Sequence, residues 1–251
     1  MGDRVLIGGF IIQGTAPKKV LLRAIGPSLA GRVPNFLEDP VLELRGAAGL
    51  IATNDNWEDT DRAAILATGA QPSDDRESAL VRTLAPGAYT TIVSGFQGGT
   101  GVGLVEAYDI DPSSPAHLVN ISTRGVVEEG DNVLIGGLIV GGSEPSATFL
   151  IRALGPSLGN AGVPDPVPDP ILQLHDENGV MIAFDDNWRD LQETAIEATT
   201  LAPGDSRESA ILTPLAPGSY TAIVRNKDAG VRSGPGGNLS PLAVKKAPAS
   251  L

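Results

Sequence analysis

Leu22-Arg23-Ala24-Ile25-Gly26-Pro27-Ser28-Leu29 comes back further along the chain as Ile151-Arg152-Ala153-Leu154-Gly155-Pro156-Ser157-Leu158. In both places a short apolar run carrying one arginine stops at Gly-Pro, the punctuation of a strand that ends in a turn. Working outward, the match extends both ways. Gly8-Gly9-Phe10-Ile11 returns as Gly136-Gly137-Leu138-Ile139 at an offset of 128 residues, and Asp55-Asn56-Trp57 returns as Asp186-Asn187-Trp188 at an offset of 131. Arg76-Glu77-Ser78-Ala79-Leu80 matches Arg207-Glu208-Ser209-Ala210-Ile211, and Leu84-Ala85-Pro86-Gly87-Ala88-Tyr89-Thr90 matches Leu215-Ala216-Pro217-Gly218-Ser219-Tyr220-Thr221. Such self-similarity marks one module built twice.

Inside a copy the apolar segments are brief and bounded by Gly, Pro, Asn and Asp, which predicts many short strands joined by tight turns. Strands are expected near 4–13, 19–25, 41–45, 49–54, 78–84, 88–95 and 102–109. Leu42-Glu43-Leu44 and Tyr89-Thr90-Thr91-Ile92-Val93 alternate with period two, as a strand does when one face meets a core and the other meets water. One segment per copy departs from this: residues 60–68 and 191–199 carry Ala64, Ile65, Ala67 and Ala195, Ile196, Ala198 at helical spacing. Asp59 or Thr60 is expected to cap the first of these helices, and Gly69 to end it.

The 251 residues suffice for two domains that each bury a core. Acids outnumber bases 30 to 18, for a net charge of -12, which excludes nucleic acid as the natural partner. Cysteine is absent, so no disulfide or thiolate chemistry is available. Met1-Gly2-Asp3-Arg4 and the apolar Val5 to Ile12 imitate an export signal, but the same pattern recurs internally at Gly130-Asp131-Asn132 and Val133 to Val140, so it reads as a strand. No apolar run approaches the roughly 20 residues that span a bilayer.

The two copies differ at their ends. His117 to Arg124 is strand-like and has no counterpart ahead of Gly2, while Leu104 to Asp109 finds only Val231-Arg232-Ser233-Gly234-Pro235-Gly236-Gly237 in the second copy. Glycine and proline weaken a sheet interior, which predicts a second copy short of its last strand. The expected organisation is a first repeat over 1–111 lacking its first strand, a Pro112–Pro115 linker, a second repeat over 117–230 lacking its last strand, and an unstructured tail over 231–251. On this reading the chain is part of a longer array, and its exposed strand edges predict a strand-exchanged homodimer when isolated.

The runs Arg-Ala-Ile-Gly-Pro-Ser-Leu, Asn-Asp-Asn-Trp, Arg-Glu-Ser-Ala-Leu and Pro-Gly-Ala-Tyr-Thr-Thr-Ile-Val resemble a tandem repeat of large, mostly uncharacterised exported proteins of environmental bacteria. The likeness covers the chain up to Gly230. The Leu-x-Pro-Gly-x-Tyr-Thr strand with Thr100 to Glu106 is also similar to bacterial pre-peptidase C-terminal jelly-roll modules. These resemblances imply a β-sandwich in a secreted or cell-surface, multi-module and non-catalytic setting, with no catalytic residues to carry over.

Three motifs invite a chemical reading. Gly155-Pro156-Ser157-Leu158-Gly159 fits the G-x-S-x-G elbow of serine hydrolases, but the first copy ends in Ala30 instead of glycine and only His117 and His175 exist as bases, so a turn is expected. Gly98-Gly99-Thr100-Gly101-Val102-Gly103 lacks the strand-loop-helix frame and lysine of a phosphate loop and is expected to be a hairpin. The acidic loops offer a calcium site. Asp55, Asn56, Asp59, Asp74 and Glu77, and in the second copy Asp186, Asn187, Asp190, Asp205 and Glu208, supply the carboxylate and amide oxygens that calcium takes. Their competing role is to cap the helix and pair with Arg76 and Arg207.

Carbohydrate binding needs exposed aromatics, whereas Trp57/Trp188 and Tyr89/Tyr220 recur once per copy as core anchors would. Arg23 and Arg152, inside strands, require counter-charges, for which Asp39 or Asp169 and Glu77 or Glu208 are the candidates. The expectation is an all-β chain of two jelly-roll or Ig-like sandwich modules, each with one short helix. It has no catalysis and no required cofactor, calcium being optional. It serves as a structural or adhesive module whose partners are neighbouring repeats and a surface polymer or protein ligand. A carbohydrate-binding accessory module is the alternative.

Overall fold

A computed structural model describes residues 5–127, 133–142, 144–227 and 238–246. The chain divides into two compact units, residues 1–121 and 122–251.

In unit 1 the strands are β1 (Leu6–Gln13), β2 (Lys18–Ile25), β3 (Pro40–Gly46), β4 (Gly49–Asn54), β5 (Ser78–Leu84), β6 (Gly87–Gly95) and β7 (Leu104–Asp109). Each matches an expected strand to within two residues. One antiparallel sheet runs β1-β6-β3-β4 and a second runs β5-β2-β7. Only β3 and β4 are joined as a hairpin. Every other link carries the chain from one sheet to the other, which makes the unit a sandwich.

The inner faces meet in a core of Phe10, Ile12, Leu22, Leu42, Leu44 and Val93. Here the alternating strands place one side chain in two, and each fully buried Leu or Ile contributes about 2 kcal/mol. β2 does not alternate, because it is covered on both faces. Val20, Leu22 and Ala24 enter the sandwich core, while Leu21 points the other way into a second cluster with Trp57, Ile65, Ala79 and Val81. That second cluster lies under α1 (Arg62–Leu66), the helix expected between residues 60 and 68. Gly69 follows it with φ +68, as a terminating glycine does. The cap differs from expectation. Asp61, at φ 57, precedes the helix and makes no side-chain capping bond, because its carboxylate pairs with Arg82.

Unit 2 repeats the plan with β9 (Leu134–Val140), β10 (Ala147–Ala153), β11 (Pro170–His175), β12 (Met181–Asp185), β13 (Ser209–Leu215), β14 (Gly218–Asn226) and β15 (Asn238–Lys246). Its sheets run β9-β14-β11-β12 and β13-β10-β15. α2 (Pro156–Gly159) is a single turn after the Gly-Pro stop, and α3 (Glu193–Ala198) is the expected helix. Ile196 and Trp188 pack on Leu150 and Ala210 as Ile65 and Trp57 do in unit 1.

Three expectations are corrected. The second copy does not end short of its last strand: residues 238–246 pair with β10 as β7 pairs with β2, and Leu242 and Val244 join the core. Residues 231–237 and 247–251 lie outside the described residues. Pro112–Pro115 forms a turn where the linker is expected, but the two units divide at Ile121/Ser122, inside β8 (His117–Val127), with Ala116 and Leu118 in the unit 1 core and Val127 in the unit 2 core. The glycine-rich segment 98–103 is no hairpin. β6 and β7 belong to different sheets, and the segment crosses between them while Leu37 N–H donates to Val102 O at 2.8 Å and Val102 N–H to Asn35 O at 2.8 Å. Gly101 is required there because a Cβ would stand 2.6 Å from the Phe36 backbone.

Candidate functional site

The recurring Gly-Pro-Ser turn and the recurring Arg-Glu-Ser segment, far apart in sequence, meet in space. In unit 1, Gly26 N–H and Ser28 N–H donate to Glu77 Oε1 at 3.0 and 2.8 Å, and Ser28 Oγ donates to Glu77 Oε2 at 2.7 Å. In unit 2, Gly155 N–H, Ser157 N–H and Ser157 Oγ donate to Glu208 Oε1 at 2.8, 3.0 and 2.6 Å. Gly204 N–H and Asp205 N–H donate to Glu208 Oε2 at 3.1 and 3.2 Å. Both glutamates are fully buried. A carboxyl group removed from water is tolerated only when its oxygens are supplied with donors, and here the turn supplies them.

The turn's glycine is a steric necessity. A Cβ on Gly26 would lie 2.0 Å from Leu37 O, and one on Gly155 would lie 2.1 Å from Val167 O. The next residue of the Arg-Glu-Ser segment closes the knot: Ser78 Oγ donates to Pro40 O and to Asp55 O at 2.9 Å, and Ser209 Oγ to Pro170 O and to Asp186 O at 2.9 Å. The serine of the hydrolase-like motif is thus a donor to a buried glutamate. The chain's His175 lies on β11, where its ring meets Gly179 O at 3.1 Å and Gln173 Oε1 at 3.4 Å.

The residues expected to gather calcium are divided among other tasks. Glu77 and Glu208 are consumed by the turns. Asp74 holds Arg76 through two bonds of 3.0 Å, and Asp205 holds Arg207 at 2.9 and 2.8 Å. In both cases the guanidinium bond keeps the carboxyl below the usual carboxylate range. Asn56 Nδ2 donates to Asp59 Oδ2 at 3.3 Å and Asn187 Nδ2 to Asp190 Oδ2 at 3.2 Å, so these pairs close their own loops. Among the described residues no three acidic or histidine side chains converge on a common point.

Asp55 and Asp186, which are equivalent, have unlike surroundings. Lys227 reaches Asp186 Oδ2 at 2.5 Å and Asp169 Oδ2 at 3.9 Å. In unit 1 the position of Lys227 is held by Phe96, whose N–H donates to Asp39 O at 2.8 Å as Lys227 N–H does to Asp169 O. Without that ammonium, burial and then the charges of Asp39 and Asp59 push the Asp55 carboxyl up.

Neighbouring Asn54 and Asp185 are also equivalent and both are buried. Asn54 Oδ1 accepts from Ala79 N–H at 2.8 Å while Nδ2 donates to Asn56 O and Thr60 Oγ1, each at 2.8 Å. Asp185 Oδ2 accepts from Ala210 N–H at 2.8 Å, and burial pushes its carboxyl up to about 6, the Ala210 bond opposing and Asp190 and Asp186 adding to the rise.

Arg23 finds neither expected partner. It bonds Glu106 of the adjacent strand at 2.8 Å, Ala70 O at 2.7 Å and Tyr108 Oη at 3.1 Å. Arg152 stands opposite Ala243 where Arg23 stands opposite Glu106, and it bonds Leu201 O at 2.9 Å. Burial pulls its guanidinium below the ordinary value, with Glu208 offsetting part of the shift. Trp57 and Trp188 are buried, the latter donating from Nε1 to Asp205 O at 3.0 Å.

Sequence reasoning missed the glutamate clasp, although its signal was present: Gly-Pro-Ser and Arg-Glu-Ser each recur unaltered in both copies.

No known protein-family profile matches the chain, and no curated protein matches it. Among solved structures, a chain from the atomic structure of Sulfolobus turreted icosahedral virus aligns over 98% of this chain and 88% of its own length. It shares 10% identity at a TM-score of 0.25, a superposition too loose to bear on fold or function. No described helix is long and apolar enough to cross a membrane.

Proposed function

We propose that this chain is a non-catalytic structural module of an exported or cell-surface bacterial protein, acting as a spacer or adhesive element in a row of similar units. The observation that carries this reading is the fate of the shared polar residues. Glu77, Ser28, Ser78 and their counterparts Glu208, Ser157 and Ser209 are spent on pinning one turn to one strand in each unit. A catalytic serine needs a base that can pass its proton on, whereas each hydroxyl here donates to a fully buried carboxyl group that also accepts from backbone N–H groups of the turn, which supports a structural role. The antiparallel sandwich suits a mechanical role, because force along the chain loads ladders of backbone hydrogen bonds together.

Stretching the full chain from its two ends in a single-molecule instrument tests the proposal. The expected record has two separate unfolding events, each releasing roughly 400 Å of chain at about 3.5 Å per residue. A chain that extends gradually without a peak would overturn the mechanical reading, and covalent labelling of Ser28 or Ser157 by a fluorophosphonate would overturn the non-catalytic one. For calcium, a melt with and without chelator decides whether the loops retain any use for the ion: an unchanged transition removes it from the account.

A further inference from the structure

β1 and β9 are the same strand in the two repeats. Each lies antiparallel to its neighbour in equivalent register, Gly8 opposite Thr91 and Phe10 opposite Tyr89 in unit 1, Gly136 opposite Ala222 and Leu138 opposite Tyr220 in unit 2. They differ on their other edge. In unit 1, β8 is hydrogen-bonded beside β1; in unit 2, among the described residues, β9 ends its sheet.

Two further observations mark the β9 edge as built for the same neighbour. The first is exposure. Ile135 and Ile139 are 55% and 73% exposed, whereas the equivalent Ile7 and Ile11 are only half-buried residues beside β8. The second is the glycine that follows the strand. Gly14, at φ +142, leaves room for Ala116 just ahead of β8, and a Cβ there would stand 2.7 Å from Ala116 Cα. Gly142, its counterpart, keeps the same unusual conformation at φ +121, yet a Cβ on it would meet nothing within 4 Å. A left-handed glycine is retained where no described residue crowds it, beside an apolar edge on which no described strand pairs. β9 reads Leu-Ile-Gly-Gly-Leu-Ile-Val, with no proline or charge of the kind that guards open edges.

We propose that the β9 edge is a docking site for one extended strand of the β8 type, contributed by the linking segment of another module of the same kind. This rests on the reading of the chain as a structural repeat and names how one repeat receives the next. The recognised chemistry is that of Pro115-Ala116-His117-Leu118-Val119-Asn120-Ile121: a small residue to sit against Gly142, an apolar residue two places on to reach the core as Leu118 does, and backbone donors and acceptors along the edge.

The test uses the full chain and a synthetic peptide of the sequence Ser113–Thr123, with amide hydrogen exchange as the readout. The expected result is saturable slowing of exchange within Leu134–Val140 by at least about tenfold, with β13 protected throughout. A peptide with tryptophan at the Ala116 position, and the chain variant Ile139→Asp, should each abolish the slowing. Silence at β9 while β13 stays protected, or equal slowing by a scrambled peptide, would overturn the docking proposal and leave the structural-module reading standing. A homodimer of the chain held through β9, which the peptide fails to displace, would overturn it in favour of a second copy. Failure of the stretching experiment, in contrast, strikes the module reading itself.

Discussion

Replacing Asp185 by asparagine should stabilise unit 2 at neutral pH, and the amount can be worked from the two repeats. The Asp185 carboxyl is buried and its folded value is pushed up to about 6 from 3.8, so the folded state holds its proton more tightly than the unfolded chain does. A raised folded value means that the associated stability is fully present below about pH 4 and is lost as pH rises through 6. The interval is about 2 pH units, which at 1.36 kcal/mol per unit gives a penalty of about 3 kcal/mol above pH 7. Asparagine removes the ionisation. It also fits the site, because Asn54 already occupies the equivalent place, with Oδ1 accepting from Ala79 N–H and Nδ2 donating to Asn56 O.

Urea unfolding read through Trp188, in a Trp57→Phe background, isolates unit 2. Between pH 4 and 7 the advantage of Asp185→Asn over the parent should grow by up to about 3 kcal/mol and then level off. An advantage that does not change across that interval, or a variant less stable than the parent at pH 7.5, would refute the argument that burial of the carboxyl governs its titration.

Three other outcomes follow from the same geometry. Glu208→Ala strands the donors of Gly155, Ser157, Gly204 and Asp205, and should cost unit 2 about 3 to 5 kcal/mol in urea unfolding, the range for breaking a buried charged network. Gly26→Ala drives a methyl into Leu37 O and should lower unit 1 by at least about 2 kcal/mol, whereas Gly31→Ala, where the space is open, should cost less, its φ of +78 being the only obstacle. Phe96→Lys places an ammonium beside Asp55 and Asp39 as Lys227 is placed beside Asp186 and Asp169; it should raise unit 1 stability by up to about 1 kcal/mol at pH 7 and less in high salt, measured by thermal melting at two ionic strengths.

Strand positions, the twofold repeat and the two short helices were legible in the order of residues, because alternation and turn punctuation act over a few neighbours and leave a local trace. Gly26 and Gly155 were readable as turns for the same reason. What the side chains expected at a calcium site bond to was not legible, for a reason that lies outside any local window. Composition and spacing offer two acidic loops flanking the helix, but Glu77 points inward to a turn some fifty positions earlier, and Asp74 turns to Arg76 two residues away. Likewise, Arg23 is neutralised by Glu106, whose place opposite it depends on which strands become neighbours.

The amino-acid order by itself therefore determined the period, the strands and the sandwich class, since each depends on spacing along the chain. Tertiary structure alone decided that Asn238–Lys246 completes the second unit, that β8 runs through the boundary, and that Ser157 serves Glu208. It also decided that, among the described residues, β9 ends its sheet beside Gly142. These are matters of which distant segments touch, and hydrogen bonds between distant segments leave no period in the sequence to be read.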